Sequence, residues 1–122
     1  MRFTRVTNQV DKLAPAPLAR IRVIDGPDLG IEITVPPVGA VLGADPSADL
    51  TLTDDAVSGR HCAVLPTEAG FDVSDLESRN GTYVDGVVVT RAVVPIGAVL
   101  RLGTSLVQLM PAEETVEIPP SE

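Results

Sequence analysis

The chain reads as short alternations of apolar and polar residues separated by turn residues, the period-two pattern of half-buried strands. Ile21-Arg22-Val23-Ile24-Asp25 and Gly30-Ile31-Glu32-Ile33-Thr34-Val35 alternate on either side of Gly26-Pro27-Asp28-Leu29, which predicts a hairpin. Pro36-Pro37 ends its second strand, because proline cannot donate to a ladder. Further strands are predicted over residues 39–43, 49–52, 61–65 and 71–75. Thr82-Tyr83-Val84 and Val87-Val88-Val89 flank Asp85-Gly86, the strongest short hairpin signal in the chain. Residues 98–102 and 105–109 flank a second two-residue turn, Gly103-Thr104. No segment keeps apolar spacing of three and four between caps, so no helix is predicted. About ten short strands at near-regular spacing predict an all-β sandwich, whose end loops are where binding residues are most readily placed.

Composition narrows this picture. The length of 122 residues predicts one domain with a core that needs no disulfide or metal staple. Hydrophobic residues make up 44% but aromatic residues only 2%, so the core must be built from Val, Leu, Ile and Ala. The single Cys62 excludes an intramolecular disulfide. Residues 1–17 end in Ala14-Pro15-Ala16-Pro17 and read as a flexible lead-in, and residues 18–110 as the folded domain. Residues 111–122 carry four acids, no base and Pro119-Pro120, and read as an acidic linker toward a further domain. Residues 1–10 do not resemble a signal peptide, and the longest apolar stretch, residues 92–100, is broken by Pro95 and far too short to span a membrane. A cytoplasmic protein without membrane contact is expected. The net charge of −8 argues against nucleic acid as a partner and makes any anion site a local exception.

Two stretches supply candidate chemistry. Val57-Ser58-Gly59-Arg60-His61 places a hydroxyl, a guanidinium and the only imidazole just before a strand. Asp75-Leu76-Glu77-Ser78-Arg79-Asn80-Gly81-Thr82 places an amide on an Asn-Gly turn beside Arg79 and two hydroxyls. Hydroxyl, amide, guanidinium and turn N–H groups are the donors that a doubly charged phosphate accepts from. Each piece has a plainer reading. Asn80-Gly81 alone is more often a tight turn, His61 a hydrogen-bonded scaffold residue, and Asp54-Asp55 a solvated turn. A hydrolase built on Ser58 and His61, or on Cys62 and His61, is disfavoured, since strand neighbours point to opposite faces. One His and one Cys make no transition-metal set, and Asp45, Asp49, Asp54 and Asp55 lack calcium-loop spacing, so no metal or cofactor is expected.

Taken together, Leu42-Gly43, Asp49-Leu50-Thr51-Leu52, Ser58 to His61, Asp75 to Thr82, Asp85-Gly86 and Ile96-Gly97 resemble, in order and spacing, the forkhead-associated (FHA) domain over residues 21–109. The resemblance implies a β-sandwich of eleven mainly antiparallel strands that binds phosphothreonine peptides through loops at one end. It implies phosphopeptide contacts from Ser58, Arg60, Arg79, Asn80, Gly43, Ala44 and Thr82, with His61 and Gly81 structural. Where the family usually has Gly-Arg, this chain has Gly43-Ala44. Losing that arginine's charge-assisted bond costs roughly 1.5–3 kcal/mol unless it is replaced. Arg60 and Arg79 remain as substitutes, and Arg79, beside Asn80, is the one expected to supply the missing charge. The layout also resembles the N-terminal FHA domain of bacterial sigma-54-dependent activators, carried by residues 25–30 and 42–50, which implies a link from Ser/Thr protein kinases to transcription. The alternative is a degenerate FHA domain that binds an unphosphorylated partner or its own downstream domain, as Ala44 and Gly59 suggest.

Overall fold

The computed structural model describes residues 19–111, so the expected lead-in and all of the expected linker except Pro111 lie outside the described residues. The alternation becomes eleven strands: β1 (Ala19–Asp25), β2 (Glu32–Val35), β3 (Ala40–Gly43), β4 (Leu50–Thr51), β5 (Cys62–Thr67), β6 (Gly70–Asp75), β7 (Thr82–Val84), β8 (Val87–Val89), β9 (Arg91–Val94), β10 (Val99–Leu102) and β11 (Ser105–Met110). They form a six-stranded sheet in the order β2-β1-β11-β10-β7-β8 and a five-stranded sheet in the order β4-β3-β5-β6-β9. Among the described residues only β3 and β4 run parallel.

The inward positions of both sheets make one apolar layer. Ile21 and Val23 of β1, Leu100 and Leu102 of β10, and Val107 and Leu109 of β11 are fully buried with Leu42, Val64, Phe71 and Val73 of the other sheet. Each such side chain contributes about 1.5–3 kcal/mol by leaving water. The expected hairpins form: Leu102 pairs with Ser105 across Gly103-Thr104, and Val84 with Val87 across Asp85-Gly86. Asp85 (φ 48°) and Gly86 (φ 87°) both take the left-handed region that this tight turn demands.

One strand escapes the sequence pattern. β9 pairs with β6, Phe71 opposite Val94 and Ser74 opposite Arg91, and forms an edge of the five-stranded sheet. It follows β8, an edge of the other sheet, after the single residue Thr90. A strand that changes sheets needs a bend rather than a reversal, so no turn signal announces it. Pro95 lies just beyond β9, stops the pairing and opens the turn 95–98, in which Ala98 N–H donates to Pro95 O at 3.1 Å.

Candidate functional site

Register decides where the two candidate stretches end up. Cys62 lies opposite both Leu42 and Asp75, so the end of β3, the start of β5 and the end of β6 sit side by side. Loops 44–49, 52–61 and 76–81 therefore open from the same end of the sandwich. The first two are joined through backbone: Ala44 N–H donates to Ser58 O (3.0 Å), Asp45 N–H to Gly59 O (3.0 Å) and His61 N–H to Leu42 O (2.9 Å). Gly43 makes that approach possible, because a Cβ there would overlap the Gly59 carbonyl.

His61 ties the other pair of loops. Its ring is fully buried; Nδ1 accepts the Ser58 N–H (3.1 Å) and Nε2 donates to Gly81 O (2.8 Å). The two partners define the tautomer, with the proton on Nε2. Gly81 presents its carbonyl from φ 87°, where a side chain would be strained. Ser58 Oγ accepts the Arg79 N–H at 2.9 Å, so the second loop is anchored on the first at this hydroxyl.

The predicted ligand residues divide into four groups. Ser58, Arg79 and Asn80 form one connected set: beyond the Ser58–Arg79 bond, Asn80 Nδ2 donates to Ala56 O (2.9 Å) and Arg79 Nη2 reaches Asp55 O (3.4 Å). The Arg79 and Asn80 side chains are exposed. Arg60 is exposed on the same loop as Ser58, and its guanidinium makes no hydrogen bond within the described residues. Gly43 and Ala44 lie behind the loop as its backbone support. Thr82 is a correction: its side chain is fully buried and its hydroxyl donates to Asp75 Oδ1 (2.8 Å), so it braces the loop instead of facing a ligand.

Two carboxylates that organise these loops were not singled out by the sequence. Asp75 accepts from Ser78 Oγ (2.6 Å), Ser78 N (3.1 Å) and Thr82 Oγ1, while Ser78 Oγ accepts the Gly81 N–H (2.9 Å). Burial pushes the Asp75 carboxyl up, but the Ser78 and Thr82 bonds outweigh it and hold the group below its ordinary value. Asp54, expected in a solvated turn, is 5% exposed. It accepts from Ala56 N, Thr104 N, Thr104 Oγ1 and Ser105 Oγ at 2.6–2.9 Å, which staples the Ser58 loop to the β10–β11 turn. Desolvation raises its pKa, and these four bonds together lower it from 3.8 to about 2. The Asp75-x-x-Ser78 spacing is a local turn signal that was available in the sequence. Apart from the Ala56 N–H two residues on, the Asp54 contacts are with residues 50 and 51 positions away, and nothing local encodes those.

Chemically, the connected set offers donors to an anion. The Ser58 hydroxyl accepts from Arg79 and keeps its own proton for an incoming oxygen, Asn80 keeps its Oδ1 and one amide hydrogen, and Arg60 and Arg79 bring positive charge. The Cys62 thiol is not prepared as a nucleophile. Burial, first, and the nearby Asp75 charge push the Cys62 thiol up to about 12. Among the described residues no three His, Cys, Asp or Glu side chains gather as metal ligands. A groove of about 330 Å³ on the outer face of the five-stranded sheet, lined by Val41, Ala63, Leu65, Ser74 and Arg91, includes none of the site residues.

Eleven strands in these two sheets, with a serine and an Asn-Gly loop joined through a buried histidine, define an FHA domain. The chain belongs to the family described as the inner membrane component of T3SS, cytoplasmic domain (Yop-YscD_cpl), whose model matches residues 22–113. It is 41% identical over 90 residues to the FHA domain-containing protein FhaB of Mycolicibacterium smegmatis, covering 73% of this chain and 58% of that protein. It is 33% identical over 89 residues to the oxoglutarate dehydrogenase inhibitor of Corynebacterium efficiens, covering 73% of this chain and 63% of that one. The chain thus spans about three fifths of the length of these relatives. Among solved structures it matches an FHA domain studied for phosphothreonine-dependent interactions, with 27% identity, TM-score 0.69 and coverage of 76% of this chain and 95% of that one. It also matches the FhaA FHA domain complexed with the intracellular domain of Rv3910, with 27% identity, TM-score 0.67 and coverage of 75% and 98%.

Proposed function

We propose that this domain recognises phosphothreonine peptides without catalysing a reaction. The observation that carries the reading is the Ser58 hydroxyl, held by the Arg79 N–H and left with its proton free, beside Asn80 and the two exposed guanidinium groups of Arg60 and Arg79. A phosphoryl group with close to two negative charges accepts from all of these donors at once, and that favours it over a neutral threonine. Arg79 stands in for the arginine that Ala44 replaces, and Gly43 and Ala44 act through the backbone that supports Ser58. The test is an amide chemical-shift titration with a degenerate phosphothreonine peptide and its unphosphorylated twin. Shifts confined to the Ser58 and Asn80 loops, seen only with phosphate and lost in Ser58→Ala, are expected; equal shifts with both peptides would refute the reading. Ala44→Arg should tighten phosphopeptide binding.

Ala44 and the side-chain-free Gly59 favour a second reading, docking of an unmodified partner or of a downstream domain, and the same titration separates the two. A finer proposal is that residues 18–110 are the regulatory domain of a longer cytoplasmic protein, reached through the linker 111–122. Residues 25–30 and 42–50 support a sigma-54-dependent activator that receives signals from Ser/Thr kinases. Phosphopeptide-dependent change in the ATPase rate of the whole protein tests that assignment.

A further inference from the structure

Glu77 sits in loop 76–81 with φ 60°, in the left-handed region that side-chain-bearing residues rarely occupy. Glycine, asparagine or aspartate would hold that conformation with less strain. The other such residue, Asp85, is explained by its hairpin turn; Glu77 is in no hairpin. Its side chain is exposed and makes no hydrogen bond or ion pair with any described residue, while its backbone lies inside the turn that Ser78 N–H and Oγ close on Asp75. Its position is also informative. Glu77 lies two residues before Arg79, so the two Cα atoms are at most about 7 Å apart, and the Arg79 N–H is bonded to Ser58 Oγ. A carboxylate this close to a phosphate site disfavours the phosphate unless the ligand also brings positive charge.

We propose that Glu77 is a specificity-determining residue that pairs with a lysine or arginine of the partner, within three residues of its phosphothreonine. This rests on the phosphothreonine reading and names the class of partner, a phosphopeptide with an adjacent basic side chain.

The experiment measures binding by fluorescence anisotropy for a degenerate phosphothreonine library with lysine fixed at each of the three positions on either side, against the same library with alanine fixed there. Unphosphorylated counterparts are included, and wild type is compared with Glu77→Gln and Glu77→Gly. Glu77→Gln keeps the strain and removes the charge. Glu77→Gly removes both and should melt no lower than wild type, which shows that the loop remains folded. In wild type, lysine at one or more positions should tighten phosphate-dependent binding about three- to fivefold, the range of an exposed ion pair, and added salt should erode the gain. Both variants should bring the lysine-to-alanine ratio to about one. Phosphate-dependent binding with no lysine preference, or with a preference that survives in both variants, overturns the role of Glu77 and leaves the phosphothreonine reading standing. Binding that ignores phosphate throughout overturns that reading, and this inference with it.

Discussion

Removing the His61 imidazole would orphan the Ser58 N–H and the Gly81 carbonyl together, and would leave a cavity where a fully buried ring now packs. His61→Ala should therefore lower stability by about 2–4 kcal/mol, measured by urea unfolding, and should weaken phosphopeptide binding because both loops lose their common brace. Asp54 makes a prediction of a different kind. Its folded pKa of about 2 lies below the ordinary 3.8, so its contribution is fully present above about pH 4 and is lost as pH falls toward 2. Allowing for solvent screening at the loop edge, the contribution is about 1–2 kcal/mol. Thermal melts of wild type and Asp54→Asn between pH 2 and pH 7 should differ most near neutrality and converge in acid. A gap that stays constant with pH would mean that the Asp54 charge does not matter.

At the level of elements, the site depends on how closely β3 approaches the Ser58 loop. Gly43→Ala would push a methyl group into the Gly59 carbonyl, which neither backbone can yield without breaking the Ala44–Ser58 and Asp45–Gly59 bonds. A loss of about 1–3 kcal/mol is expected. Binding should weaken as well, since Ser58 moves with the loop; a variant as stable as wild type would show that the two segments separate easily. The strands themselves were largely legible, because alternation such as Ile21-Arg22-Val23 states which face is buried. β9 was not, since Arg91-Ala92-Val93-Val94 runs on from β8 without a turn and shows its purpose only when paired with β6.

Over the whole molecule, the apolar layer between the sheets carries the stability, and Cys62 reports on it. The thiol is fully buried, and its raised pKa leaves almost no thiolate at neutral pH. Labelling with a thiol reagent should proceed only as fast as global unfolding and should track it across urea concentrations. Labelling far faster than unfolding would reveal local opening of β5 at the base of the binding loop.

The order of strands, the Asp85-Gly86 and Gly103-Thr104 turns, and the residue types able to meet a phosphate can all be read along the chain. Backbone sterics and side-chain donor chemistry are local properties. The joining of Ser58 to Arg79, of His61 to Gly81 and of Asp54 to Thr104 and Ser105 spans 20 to 51 residues and comes from sheet register. The burial of Thr82 has the same origin. Packing two sheets face to face fixes which loops meet, and meeting decides which polar groups are consumed within the fold and which remain for a ligand.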